Sequence, residues 1–166
     1  MDSGQDFTSG ELSLLARAAV LSGATVAITK YSGSGGTQAE FQAILDGLKQ
    51  ATQQYPANPL VQALLTDEAR SEVEQLAPQF RSDIKQRAFE DFKFAALNRC
   101  SEAAELLARK ATPDQAAELK QGILLMCRHV AERSKEGSRL GFGGAPTDPM
   151  EEAVIDQIAR AWDATA

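Results

Sequence analysis

Five helix-start signatures punctuate this chain, and they leave little room for any element but helices. Thr8-Ser9-Gly10-Glu11, Thr37-Gln38-Ala39-Glu40, Ser71-Glu72-Val73-Glu74, Thr112-Pro113-Asp114-Gln115 and Asp148-Pro149-Met150-Glu151 all read as capping boxes. In such a box a short side-chain oxygen accepts a bond from one of the first free amides, while Glu or Gln reaches back to the cap's own N–H. Phe7 and Leu12 flank the first box as a hydrophobic staple. Pro113 and Pro149 stand at the first helical position, where a missing N–H costs nothing.

Hydrophobic periodicity fills in the helices behind these starts. The first is expected over Ser9–Lys30, with Leu12, Leu15, Val26 and Ile28 as apolar surface. Ala19, Gly23 and Ala27 form a row of small residues four apart, which admits another helix backbone at close range. Tyr31-Ser32-Gly33-Ser34-Gly35-Gly36 reads as a flexible loop, and a second helix is expected over Gln38–Gln53 with Phe41, Ile44, Leu45 and Leu48 inward. Asn58 before Pro59 predicts a short capped helix that bends on toward Ser71, and Pro78 predicts a break near Ala77.

No Pro or Gly interrupts Gln79–Lys110, so one helix of about 48 Å is expected there. Phe80, Ile84 and Phe92 share its main face, while Phe89, Phe94 and Leu97 lie off it and predict a second covered surface. Pro113–Glu136 carries a wide stripe of Leu119, Ile123, Met126, Cys127 and Val130, the pattern of a central helix. A last helix is expected over Pro149–Trp162. The expectation is a single all-α domain over residues 1–166, an irregular bundle of five to seven helices, with residues 1–7 as a loose tail.

The chain has 166 residues, a net charge of −6 and a pI near 4.9. A domain of that size buries enough surface to fold without a disulfide or a metal. The acidic balance excludes general nucleic-acid binding, which depends on neutralising phosphates. Cys100 and Cys127 both sit among apolar neighbours and read as small buried thiols of a reducing compartment. Asp2, Asp6 and Glu11 stand where a signal peptide needs basic residues, and the apolar run Ala18–Ile28 is too short to span a bilayer. A cytoplasmic protein without a membrane span is expected.

The single histidine, His129, limits the enzyme hypotheses. Cys127 and His129, two apart, face different directions on a helix, which disfavours a zinc site. His129 reads as a surface or interface histidine; a Ser or Cys nucleophile with His129 as base stays open, with no feature of the sequence supporting it. Adjacent acids such as Glu90 with Asp91 or Glu151 with Glu152 read as solvated faces and first-turn charges. No catalytic residue, cofactor or metal is assigned. The best candidate site is a locally basic stretch: Arg128, Arg133, Lys135 and Arg139 lead into Gly141, Gly143 and Gly144, and the amino end of the last helix follows. Such a set suits a phosphate or carboxylate. The competing reading is that the cations complement a helix C-terminus while the glycines turn a corner.

Two resemblances bear on this. Val130-Ala131-Glu132-Arg133-Ser134-Lys135-Glu136-Gly137, then Leu140-Gly141-Phe142-Gly143-Gly144, then Glu152, make Lys120–Ile158 resemble the C-terminal half of an uncharacterised bacterial all-helical family. That resemblance implies a helical fold and brings no activity. Ala27–Leu45 is similar to the tellurite-resistance TerB-like domains, in which an acidic loop precedes a helix that starts with acids. Here the matching loop is Ser34-Gly35-Gly36-Thr37, with Glu40 as the acid that remains. This second resemblance implies metal binding at that loop. Two expectations follow: a non-enzymatic helical interaction module with a protein partner or a second copy of itself, and a small-anion or metal-binding protein or enzyme of TerB-like type.

Overall fold

In a computed structural model the chain is described over residues 6–29, 34–76, 86–136 and 149–163. These residues form seven helices and no strand: α1 (Ser9–Thr29), α2 (Ser34–Gln54), α3 (Pro59–Gln62), α4 (Asp67–Leu76), α5 (Gln86–Lys110), α6 (Pro113–Glu136) and α7 (Pro149–Trp162). The all-α bundle read from the sequence is the fold observed.

Two of the capping boxes form in full. Thr8 Oγ1 accepts from the Glu11 amide at 3.2 Å, and Glu11 Oε2 accepts from the Thr8 amide at 2.8 Å. Thr112 and Gln115 exchange the same pair at 3.2 and 3.1 Å. Asn58 caps α3 through Oδ1, which accepts from the Leu60 and Val61 amides. The Ser71 box does not start a helix, because α4 is already under way. Thr66 caps it through the Ala69 amide at 3.2 Å, which puts Asp67 and Glu68 in the first turn, where the helix dipole favours them. The Thr37 box likewise falls inside α2, which begins at Ser34. Residues 34–36, read as loop, are therefore helical: the amides of a first turn are free in any helix, so glycine is admitted there more easily than further in. Asp148 lies outside the described residues, as do Phe80, Ile84 and the expected break at Pro78, so the long helix is seen only as α5.

The N-terminal staple closes on Lys110. Its ammonium donates to the Asp6 carbonyl at 2.9 Å and to Glu11 Oε2 at 2.6 Å, and it stands 5.5 Å from the Phe7 ring centroid. The Lys110 bond holds the Glu11 carboxyl below its ordinary range, with the Thr8 amide helping. Asp6 and Phe7, expected in a loose tail, are thus held, and Phe7 packs on the core.

The core is built on two helices rather than one. The wide stripe of α6 is fully buried, with Leu119, Ile123, Met126, Cys127 and Val130 at 0 % exposure. α1 is buried on nearly all sides from Leu15 to Ile28 and touches α2, α4, α5, α6 and α7. Its Ser22, Thr25 and Thr29 hydroxyls donate to the carbonyls of Ala18, Leu21 and Thr25, so they enter the core without stranded donors. Among the described residues α1 is also the one helix long and apolar enough to cross a membrane, and 67 % of its most apolar window is buried inside the fold.

The small-residue row on α1 is buried, though what meets Gly23 is side chain rather than the helix backbone expected. A Cβ on Gly23 would stand 2.6 Å from Met126 Sδ and 3.0 Å from Ile44. A Cβ on Gly47 of α2 would meet the Met126 Cα at 2.8 Å, and that atom is backbone. Two substitutions test this core. Ile123→Ala should cost about 2–5 kcal/mol, as for a large-to-small change at a packed site. Gly47→Ala should cost about 1–3 kcal/mol by overpacking, despite alanine's better helix propensity. A loss under about 0.5 kcal/mol in urea unfolding of either variant contradicts the packing described.

Candidate functional site

The basic stretch named from the sequence is only partly in view. Arg128 and Arg133 are exposed on α6. Lys135 belongs to the α6 helix, and nothing of its side chain is described. Arg139, Gly141, Gly143 and Gly144 lie outside the described residues. Of this set, only Arg128 and Arg133 have side chains among those described.

Three of the described chemistry-bearing side chains, Ser22, Cys100 and Trp162, form a polar seam through the core. Ser22 Oγ lies 3.1 Å from Cys100 Sγ and accepts from the indole Nε1 of Trp162 at 3.2 Å, while its own proton goes to the Ala18 carbonyl at 2.8 Å. The seam ties α1, α5 and α7 together. It was not legible beforehand, because Ser22 reads as one polar residue in an apolar run and Trp162 as part of an apolar stripe. Burial pushes the Cys100 thiol up from its ordinary 9.0 to about 11, against smaller opposing pulls from Ser22 and Trp162. Burial also raises Cys127, with the neighbouring Cys100 adding to the shift. A nucleophilic cysteine needs a thiolate. Both thiols are held in the opposite state, as small buried hydrophobes.

His129 faces α2, its Nδ1 3.3 Å from Gln50 Nε2, and Cys127 points the other way into the core. Among the described residues no group of three or more His, Cys, Asp or Glu side chains is placed to hold a metal ion. Two carboxylates nonetheless stand out. Glu40 near the start of α2 and Glu151 in the first turn of α7 are each 1 % exposed. Glu151 was expected as a solvated first-turn charge, and that expectation is overturned. Glu152, Glu90 and Asp91 are exposed as expected. Buried carboxylates persist only when paired or hydrogen-bonded, and both are partnered.

Of the grooves on the described surface, two border α5. One, of about 420 Å³, lies between α5, α6 and α7, with Leu107, Ala117 and Trp162 as walls and the Lys120–Asp163 ion pair at its side. The other, of about 350 Å³, lies between α1, α4 and α5 and holds the Arg17–Glu72 pair, 3.3 Å apart, beside Phe92 and Arg99. Phe89 and Leu97 are taken up by the core, as a second covered face requires. Phe94 is not: it is 69 % exposed on the outside of α5.

The thiols supply a test. Neither should react with a disulfide reagent at pH 8 until the protein unfolds. Because the folded pKa of Cys100 is raised, its protonated form supports the fold below about pH 9, and that support is lost as pH rises toward about 11. Wild type should therefore lose roughly 2 kcal/mol more than Cys100→Ala across that window, since one pKa unit is about 1.4 kcal/mol. Prompt labelling of the native protein would contradict the burial.

No family model, curated protein or solved structure matches this chain, so its function has to be read from the geometry above.

Proposed function

We propose that this chain is a non-enzymatic helical interaction module that works in the cytoplasm and receives a protein partner on the outer face of α5. One observation carries the reading: Phe94 stands 69 % exposed in mid-helix, while the neighbouring Phe89 is buried at 8 %. Aromatic side chains of this kind supply much of the energy of protein interfaces when a partner covers them. The nucleophilic thiols are buried and protonated, which fits a non-enzymatic role. A photo-crosslinking residue at position 94 should give discrete adducts in cells, and the same residue at exposed Gln53 should give few. Equal yields at the two positions would overturn the reading. Light scattering at micromolar concentration then tells whether the partner is a second copy of the chain, and Phe94→Glu should abolish any dimer seen.

A second reading has its own observation. Glu40 and Glu151 are buried carboxylates close to the starts of α2 and α7, and Glu40 is the acid left in the TerB-like stretch. Carboxylates of that kind serve hard divalent cations. Because both are already partnered, the expected result is a melting temperature unchanged by chelator, calcium or magnesium. A saturable rise at stoichiometric metal would favour the metal-binding reading. The same titration with phosphate tests the anion set Arg128, Arg133, Lys135, Arg139, Gly141, Gly143 and Gly144. A saturable gain that Arg139→Glu removes would establish it, with sulfate exclusion controlled by the variant.

A further inference from the structure

Where the chain enters the bundle, one oxygen atom serves two bonds. Glu11 Oε2 accepts from the Thr8 amide at 2.8 Å, which closes the first turn of α1. It also accepts from the Lys110 ammonium at 2.6 Å, which fastens that turn to the last residue of α5. The same ammonium holds the Asp6 carbonyl at 2.9 Å and lies 5.5 Å from the Phe7 ring centroid. Three groups from residues 6–11 thus converge on one side chain. Little else holds this segment: Asp6, Thr8, Ser9 and Gly10 are exposed, and Phe7 is half-buried. The next anchors lie beyond it. Leu12 packs on the core, the Ser13 hydroxyl donates to Glu68 Oε2 of α4 at 2.5 Å, and full burial of α1 begins at Leu15.

We propose that residues 6–11 are a strap that opens as one unit ahead of the bundle, with the charge of Lys110 as its catch. The shared oxygen makes the opening cooperative. Once the ammonium withdraws, the Glu11 carboxylate turns to water, and the Thr8 amide and the Phe7 ring lose their holds with it. The chain beyond Leu12 stays seated, because its anchors are on other helices. Local opening costs less than global unfolding where buried apolar contacts are few. A catch made of charge near the surface answers to ionic strength, and equally to any modification that neutralises the lysine. Opening lifts Phe7 from the core and uncovers the apolar surface beneath it.

Hydrogen exchange of the intact chain, read by NMR, tests the strap at the Thr8, Glu11 and Leu12 amides. These donate to Glu11 Oε2, Thr8 Oγ1 and the Thr8 carbonyl. All three should share one degree of protection, lower than that of Val20–Ile28 inside α1. Lys110→Met keeps an apolar stem and removes the charge; it should speed the three about tenfold and leave Val20–Ile28 within about twofold. Glu11→Gln, which keeps an acceptor for the Thr8 amide, should give part of the same rise. Raising salt from about 0.05 M to about 0.5 M should speed the three in wild type and not in Lys110→Met. If Lys110→Met leaves the three unchanged, the capping box alone holds the turn and there is no catch. If Val20–Ile28 accelerate by the same factor, the segment opens only with the whole bundle and the strap is overturned. A second reading needs no variant: chymotrypsin should cut wild type after Phe7 faster at high salt, relative to a peptide of the same sequence. An unchanged relative rate contradicts a strap held by charge.

Discussion

Everything in this bundle is arranged around the absence of side chains at two positions. Gly23 on α1 and Gly47 on α2 both face Met126, and a β-carbon at Gly47 would run into the Met126 backbone. With that gap closed to van der Waals contact, α2 and α6 share the most extensive helix contact in the fold, and α1 lies against both. Protein interiors are close-packed, so a contact of this kind fixes position more sharply than a merely apolar one. Met126 suits the place because its unbranched thioether bends into whatever space two glycines leave. The remaining helices then take their seats on this three-helix unit: α4 and α5 along α1, α7 against α5 and α1, and α3 against α6.

Much of this was legible in the sequence, for local reasons. A capping box is a local device, and where its residues are the true start of a helix, as at Thr8 and Thr112, reading and structure agree to the residue. Asn58 with Pro59 was equally plain. The failures at Thr37 and Ser71 share one cause: each box lies a turn inside a helix that starts earlier. A short pattern specifies compatibility with a start and not its uniqueness, and tertiary packing decides how far upstream the helix extends. The small-residue row on α1 pointed to close packing, but its partner could not be named, because which helices meet is a non-local fact.

The candidate site was harder. Periodicity separates inside from outside only when the faces are distinct, and α1 has no polar face to give it away. Ser22 therefore looked like a blemish rather than the hub of a hydrogen-bonded seam. Glu151 looked like a first-turn charge because most such charges are solvated; its burial depends on where α7 docks. Phe94 was visible as an off-stripe aromatic. Only the structure separates it from Phe89 and Leu97, which the core absorbs.

The Trp162–Ser22 hydrogen bond carries one more consequence. Trp162 is the sole tryptophan of the chain, it is 5 % exposed, and it sits at the very end of α7 with its N–H fixed on α1. Its emission consequently reports a single event, the seating of the last helix on the first. Stopped-flow fluorescence would thus follow the joining of the two ends of the described chain without any introduced label, and would time it against the formation of the helical bundle followed by circular dichroism.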